Sequence, residues 1–346
     1  MIVYETTQPG APLARVEKET PAPKGTEILL KVVACGVCHS DIHLHDGAFD
    51  LGHGKQLDVA IKGQVLGHEI FAQVIATGPD ATSVSPGDRR VIYPWIGCGE
   101  CASCQRGEEH LCTPGRALGI ASPGGFADHV LIPHGRYLFD TGSISGSFAA
   151  ICACSGLTAY GALKKLGEPG PNDEVVIIGA GGVGMMAIQI ALSVFKIQPI
   201  VVDIDDTKLE AVRQLGVERV FNSSDSQSAR EIRRLTGGAY ASIDFVGSEA
   251  STGYGLACLR KGGRLIIVGL YGGSLIMPIP LIPMNARIIQ GSYVGSLDDL
   301  GELMALVRAG KIAPIDILER PLAEATEALA DLKAGKVRGR QVLINA

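Results

Sequence analysis

The stretch that most constrains the fold spans residues 174–203. Residues 174–178, Glu-Val-Val-Ile-Ile, read as a strand that is apolar and β-branched after its first residue, Gly179-Ala180-Gly181-Gly182-Val183-Gly184 fits G-x-G-x-x-G, and residues 185–195 have the composition of a helix. A second β-branched run, residues 200–202, ends on Asp203, nineteen positions past Gly184. A glycine triplet alone suits any flexible turn. Set between a strand and a helix, with an acidic residue about twenty positions on, it predicts a dinucleotide site, with the pyrophosphate on backbone N–H groups at the helix N-terminus and the ribose hydroxyls on Asp203. Ile204-Asp205-Asp206 supply no cation for a 2′-phosphate, so NAD is expected over NADP. Strand-like runs recur at residues 242–246, 264–268 and 287–293, and Ser228-Ala229-Arg230-Glu231 reads as a capping box opening a helix. That alternation is the pattern of a parallel α/β sheet.

Two cysteine-bearing segments precede it. Cys98, Cys101, Cys104 and Cys112 have the spacing of an all-thiolate, tetrahedral and hence structural zinc site. Cys35-Gly36-Val37-Cys38-His39-Ser40-Asp41-Ile42-His43 follows a β-like run, residues 28–34, and is read together with Gly67-His68-Glu69 and the distant Cys154. Two thiolates and an imidazole form a three-ligand zinc set that leaves a fourth position for water or substrate. Residues 49–67 form a loop-like insertion beside these ligands and a candidate rim of the substrate pocket. Cys35, Cys152 and Cys258 are expected to be buried apolar thiols, and His45, His53 and His110 receive no role.

Composition narrows the class. The 346 residues suffice for about two domains. With 46% hydrophobic and 19% charged residues, a net charge of −5 and scattered charges, the chain reads as globular, without a nucleic-acid or membrane footprint. No stretch is expected to cross a bilayer, the N-terminus lacks the look of a signal peptide, and a cytoplasmic location is expected. Nine cysteines in such a chain suggest thiols and metal ligands rather than disulfides. Amphipathic helices are expected at residues 297–309 and 323–334, with a closing strand at 341–344.

On these motifs, in this order and over essentially the whole length, the chain resembles the zinc-dependent alcohol dehydrogenases of the medium-chain dehydrogenase/reductase superfamily. The resemblance implies an α/β protein with a mainly-β GroES-like catalytic domain, residues 1–154 and 294–346, and a doubly wound Rossmann domain, residues 155–293. It implies two zinc ions per chain: Cys38, His68 and Cys154 would hold the catalytic one, and the four clustered cysteines the structural one. Asp41 matches the carboxylate that orients the ligand histidine. Glu69 matches one beside the zinc, either a transient ligand or a carboxylate behind the ligands. Ser40 and His43 match a proton relay. His39 and Arg340 match cofactor-phosphate contacts, Thr158 a nicotinamide neighbour and Lys208 an adenosine-ribose contact, while Val268, closing the strand 264–268, joins the cofactor set.

Phe49 and Trp95 match aromatic walls of the substrate pocket. The implied partners are NAD(H) and a small alcohol or aldehyde, in a homotetramer or homodimer. Tyr93-Pro94-Trp95-Ile96-Gly97-Cys98, the run from Cys154 to Tyr160 and Gly291-Ser292-Tyr293-Val294-Gly295-Ser296 resemble the bacterial branch that includes 6-hydroxyhexanoate dehydrogenases. If a substrate carboxylate is recognised, Lys55 or Lys62 is the expected partner. A secondary-alcohol or polyol dehydrogenase and a non-catalytic NAD- or zinc-binding protein are the rival readings.

Overall fold

The computed structural model describes residues 1–345, which form two compact units. The first comprises Met1–Ala48, Asp58–Leu157 and Ser296–Ala346, and the second Phe49–Leu57 and Thr158–Gly295. The bounds differ by two or three residues from those expected at 154/155 and 293/294. Phe49–Leu57 groups with the second unit instead of the first.

The first unit is built on a seven-stranded sheet with Ile28–Val37 near its centre. That strand pairs antiparallel with Glu69–Thr77, with His129–Ile132 and with Arg340–Ile344. Its near-unbroken apolar sequence follows from this crowding, since Ile28, Leu30 and Val32 are fully buried. The register sets Gly36 against both Glu69 and Val342, and Gln341 against Val37. Helix His39–Asp46 leaves the strand end directly, with Cys38 as its N-cap. Helix Leu297–Arg308 buries Leu300, Leu303, Met304 and Val307, and opens with a capping box in which Ser296 Oγ accepts from Asp299 N (3.1 Å) and Asp299 Oδ2 from Ser296 N (2.8 Å).

The second unit carries six parallel strands in the order Arg219–Asn222, Ile200–Asp203, Val175–Ile178, Ala239–Asp244, Leu259–Ile267, Ile288–Gly291. This is the doubly wound order, in which ligands bind beyond the carboxyl ends of the strands. Val176, Ile178, Val202, Cys258 and Leu265 form the heart of its core. Asp244, buried at one strand end, accepts from Val246 N, Gly247 N, Ser251 Oγ and Thr252 Oγ1 at 2.9–3.0 Å, which fixes the loop that follows.

Several local expectations are corrected. The capping box at Ser228 does not form: the helix Ser228–Thr236 has Gln227 as N-cap, and the Ser228 hydroxyl donates to Asp225 O (2.7 Å) while accepting from Tyr254 (3.0 Å). The insertion is not simply a loop, because Ala48–Asp50 and Gln56–Asp58 pair as a two-stranded sheet. The helix expected at 185–195 starts at Gly182 and widens into a π-helical turn, Ala191–Phe195. Finally, among the described residues one helix, Gly146–Lys164, is long and apolar enough to cross a membrane. It is a core helix, with 94% of its apolar window buried inside the protein.

Candidate active site and metal centres

Cys38, His68 and Cys154 come from three separate elements of the first unit. Cys38 sits where Ile28–Val37 turns into its helix, His68 follows Gly67 just ahead of the strand Glu69–Thr77, and Cys154 lies in a π-helical turn, Cys152–Gly156. Gly67 has φ +89°, and a Cβ there would stand 2.5 Å from the Phe126 ring, so the turn presenting His68 requires glycine. Single π-turns inside α-helices recur at functional sites because the widened turn redirects successive side chains. One ligand atom each from Cys38, His68, Glu69 and Cys154 lies within 4.8 Å of the others, and all four residues are buried.

Asp41 joins these elements. Its Oδ2 accepts from Cys38 N (2.8 Å), its Oδ1 from Gly67 N (3.1 Å), and Oδ1 lies 3.3 Å from His68 Nδ1. Both ring nitrogens of His68 are buried without a hydrogen-bond partner. A fully buried imidazole with an unused nitrogen beside two thiols is a donor set that suits zinc. The bond from Cys154 draws the Cys38 thiol well below its ordinary range against the effect of burial, with His68 adding to the pull, and the same bond holds the Cys154 thiol well above it. A cation bound here would displace that shared proton, since ligand thiols must be deprotonated.

Glu69 is held at both oxygens. Oε1 accepts from Ser155 Oγ (2.9 Å) and Oε2 from Arg340 Nη2 (2.5 Å), and all three residues are at most 4% exposed. Burial pushes the Glu69 carboxyl upward while Arg340 pulls it down. The space for this carboxylate exists because position 36 lacks a side chain: a Cβ there would lie 1.9 Å from Oε2. Sequence reading missed Ser155 and Gly36. Arg340, expected at a cofactor phosphate, is ion-paired with Glu69 through Nη2. Ser155 follows directly on Cys154, the one signal that could have drawn attention to it.

Trp95 packs on His68, ring centroids 5.6 Å apart. Ser40 and His43 are one turn apart on the helix after Cys38, both half-buried, and His39 is exposed at its start. Phe49, Thr158, Lys208 and Val268 belong to the second unit: Thr158 is buried in helix Leu157–Lys164, Lys208 is half-buried in helix Asp206–Gln214, and Val268 N donates to Asp244 O (2.9 Å). Cys35, Cys152 and Cys258 are buried.

The four remaining thiols form the other cluster. Sulfur–sulfur distances of 3.5 Å (Cys101–Cys104), 3.8 Å (Cys101–Cys112) and 3.9 Å (Cys98–Cys104) bracket the ~3.8 Å edge of a tetrahedron with Zn–S bonds of about 2.3 Å. The N–H groups of Glu100 and Cys101 lower the Cys98 thiol to about 6. Glu109 braces the loop, its Oε2 accepting from Gly97 N (3.1 Å) and Tyr137 O–H (2.8 Å).

The nucleotide loop has the geometry of a phosphate cradle. A Cβ on Gly184 would lie 1.8 Å from Gly179 O, so the first helical turn packs directly on the loop. A Cβ on Gly181 would meet nothing within 4 Å, which leaves room for a ligand over the backbone N–H groups. Asp203 is 7% exposed and accepts from Ala180 N (2.7 Å) and Asp205 N (3.0 Å). It thus ties the second strand to the loop.

Comparisons with known proteins agree with this architecture. Residues 24–141 match the alcohol dehydrogenase GroES-like domain, and residues 182–309 the zinc-binding dehydrogenase family. An NAD-dependent alcohol dehydrogenase of Sulfurisphaera tokodaii is 41% identical over 97% of both chains, and one of Saccharolobus solfataricus 39% over the same shares. The crystal structure of the alcohol dehydrogenase from Aeropyrum pernix superposes with a TM-score of 0.89 at 28% identity, covering 100% of both chains. The first unit is therefore a GroES-like domain and the second a Rossmann-type NAD-binding domain. The chain belongs to the zinc-binding alcohol dehydrogenase family of medium-chain oxidoreductases.

Proposed function

We propose that the protein catalyses the reversible, NAD-linked oxidation of a primary alcohol to its aldehyde, with Cys38, His68 and Cys154 holding a catalytic zinc and the four clustered cysteines a structural one. The observation that carries this reading is the buried thiol–imidazole–thiol set with its unused imidazole nitrogen. Zinc in such a set supplies Lewis acidity to an alcohol oxygen, and NAD accepts the hydride. The chain's own residues supply the remainder. Asp41 orients His68 and fixes Cys38. Ser40 takes the hydroxyl proton and His43 carries it outward. His39 and Arg340 contact the cofactor phosphates, Thr158 and Val268 the nicotinamide side, and Asp203 and Lys208 the ribose. Loss of Cys38 or His68 should abolish turnover, whereas His43→Ala should slow it within the ~10²–10⁴ range of general acid–base assistance. Equal losses from all three would count against these roles.

The substrate we infer is a medium-chain primary alcohol or an ω-hydroxy acid such as 6-hydroxyhexanoate. Phe49 and Trp95 would face its carbon chain, and exposed Lys55 or Lys62 its carboxylate. The support is the likeness of the segments around Trp95, Cys154 and Tyr293 to that bacterial branch. The test is steady-state NADH formation with ethanol, 1-hexanol, a secondary alcohol and 6-hydroxyhexanoate, under NAD and then NADP. A higher kcat/KM for 6-hydroxyhexanoate than for 1-hexanol is expected; parity would reduce the reading to a general primary-alcohol dehydrogenase, and preference for the secondary alcohol would refute it.

We also infer a cytoplasmic homotetramer or homodimer. Tyr271, Ile276, Ile279 and Met284, each at least 68% exposed, fall in the segment that precedes the sheet-edge strand Ile288–Gly291, an apolar exposure that suits a subunit contact. A monomer by light scattering would sink this inference.

A further inference from the structure

Glu69 is close enough to the metal ligands to become one, yet its oxygens are both engaged elsewhere. The two donors differ. Arg340 comes from a strand of the same sheet and binds Oε2, on the side where Gly36 makes room. Ser155 is the neighbour of the ligand Cys154, so its hydroxyl is carried by the same π-turn that presents a zinc thiolate. Any oxygen that Glu69 offers to a metal must come from a carboxylate whose Oε1 is bonded to the ligand turn itself.

We propose that Ser155 is a positioning residue that holds Glu69 off the catalytic metal. Its hydroxyl competes with the cation for Oε1 and so keeps the fourth coordination place open for substrate. The inference rests on the zinc-site reading above. Without Ser155, Oε1 loses its donor in a buried site, where an unpaired carboxylate oxygen is costly. The cation is then its nearest available partner, and Glu69 closes the place that an alcohol would occupy.

The test uses the cobalt-substituted protein and imidazole, a probe that binds only where a coordination place is open. The cobalt absorption bands are followed as imidazole is added to wild type, Ser155→Ala, Ser155→Thr and Glu69→Gln. Hydrogen bonds to charged groups have the size to shift such an equilibrium by roughly tenfold or more. Ser155→Ala should therefore bind imidazole at least ~10-fold more weakly and release catalytic-site metal to a chelator more slowly. Ser155→Thr, which keeps the hydroxyl, should behave as wild type. In the Glu69→Gln background, Ser155→Ala should change imidazole binding little, because the competing carboxylate is gone. Unchanged imidazole affinity and metal release in Ser155→Ala would overturn the proposal, as would an equal loss in the Glu69→Gln background. Failure of the underlying reading looks different: wild type itself would show no imidazole-dependent bands.

Discussion

Replacing Gly36 with alanine isolates the steric basis of the Glu69 site. The backbone at Gly36 does not lie in the left-handed region, so alanine meets no conformational strain there, only a lack of space. The new Cβ would stand 1.9 Å from Glu69 Oε2 and 2.9 Å from its Cδ. Reaching even 3.0 Å requires the oxygen to retreat by 3.0 − 1.9 = 1.1 Å, out of its 2.5 Å bond with Arg340. Arg340 is 4% exposed and has no other acceptor for Nη2 among the described residues, so displacement leaves a buried guanidinium without its partner. Breaking a buried pair in this way costs about 3–5 kcal/mol. For a domain of about 200 residues, each kcal/mol lowers the melting temperature by about 2–4 °C, so a fall of roughly 10 °C is expected in the transition of the first unit. Differential scanning calorimetry reads that fall, and metal analysis should show preferential loss of catalytic-site zinc. A Gly36→Ala protein with wild-type melting and full metal content would refute the reasoning, because Glu69 would then have a second place to go.

Other predictions follow from separate parts of the structure. Asp41→Asn removes the carboxylate that holds Cys38 N and Gly67 N and faces His68, so catalytic-site metal affinity should fall about 10–100-fold in a chelator competition while the four-thiol site is unaffected. Gly184→Ala and Gly181→Ala should separate folding from binding: the first collides with Gly179 O and should lower Tm, while the second should leave Tm intact and weaken NAD binding by calorimetry. Hydrogen bonds from Arg320 (2.6 Å) and then Lys336 (3.3 Å) hold the Asp331 carboxyl below its ordinary value. Its folded-state value is thus depressed, so the stability it contributes is present above pH ~4 and is lost as pH falls through the folded value. Asp331→Asn should accordingly destabilise the protein at neutral pH, with the difference vanishing in strong acid; a difference persisting there would contradict the assignment.

What was legible in the sequence was local. The four thiols fall within residues 98–112, and the strand–glycine loop–helix–strand–Asp203 unit within thirty residues of 174, so spacing alone reported their chemistry. The two-domain fold was legible through the order of those motifs. The Glu69 clamp was not, because its donors lie 86 and 271 residues away and a serine or an arginine at such distance carries no signature. Gly36 looked like one of 45 glycines, and only the register against Glu69 reveals what its missing side chain makes room for. Short strands were overlooked for another reason: His129–Ile132, Leu138–Asp140 and Ile317–Pro321 have five residues or fewer and include charged or turn-forming side chains. At Ser228 the capping motif was present, but the hydroxyl found partners in a turn carbonyl and a tyrosine.

The strand Arg340–Ile344 also bears on biosynthesis. The four-thiol loop is complete once residue 112 has left the ribosome, whereas Glu69 waits for Arg340, translated 271 residues after it. The Thr158–Gly295 stretch of the second unit is made in the interval. A nascent chain therefore holds the four-thiol loop early, but Glu69 stays without its buried guanidinium partner until the strand beside Ile28–Val37 arrives. Completion of the Glu69 clamp is thus postponed until long after the carboxylate itself has been made.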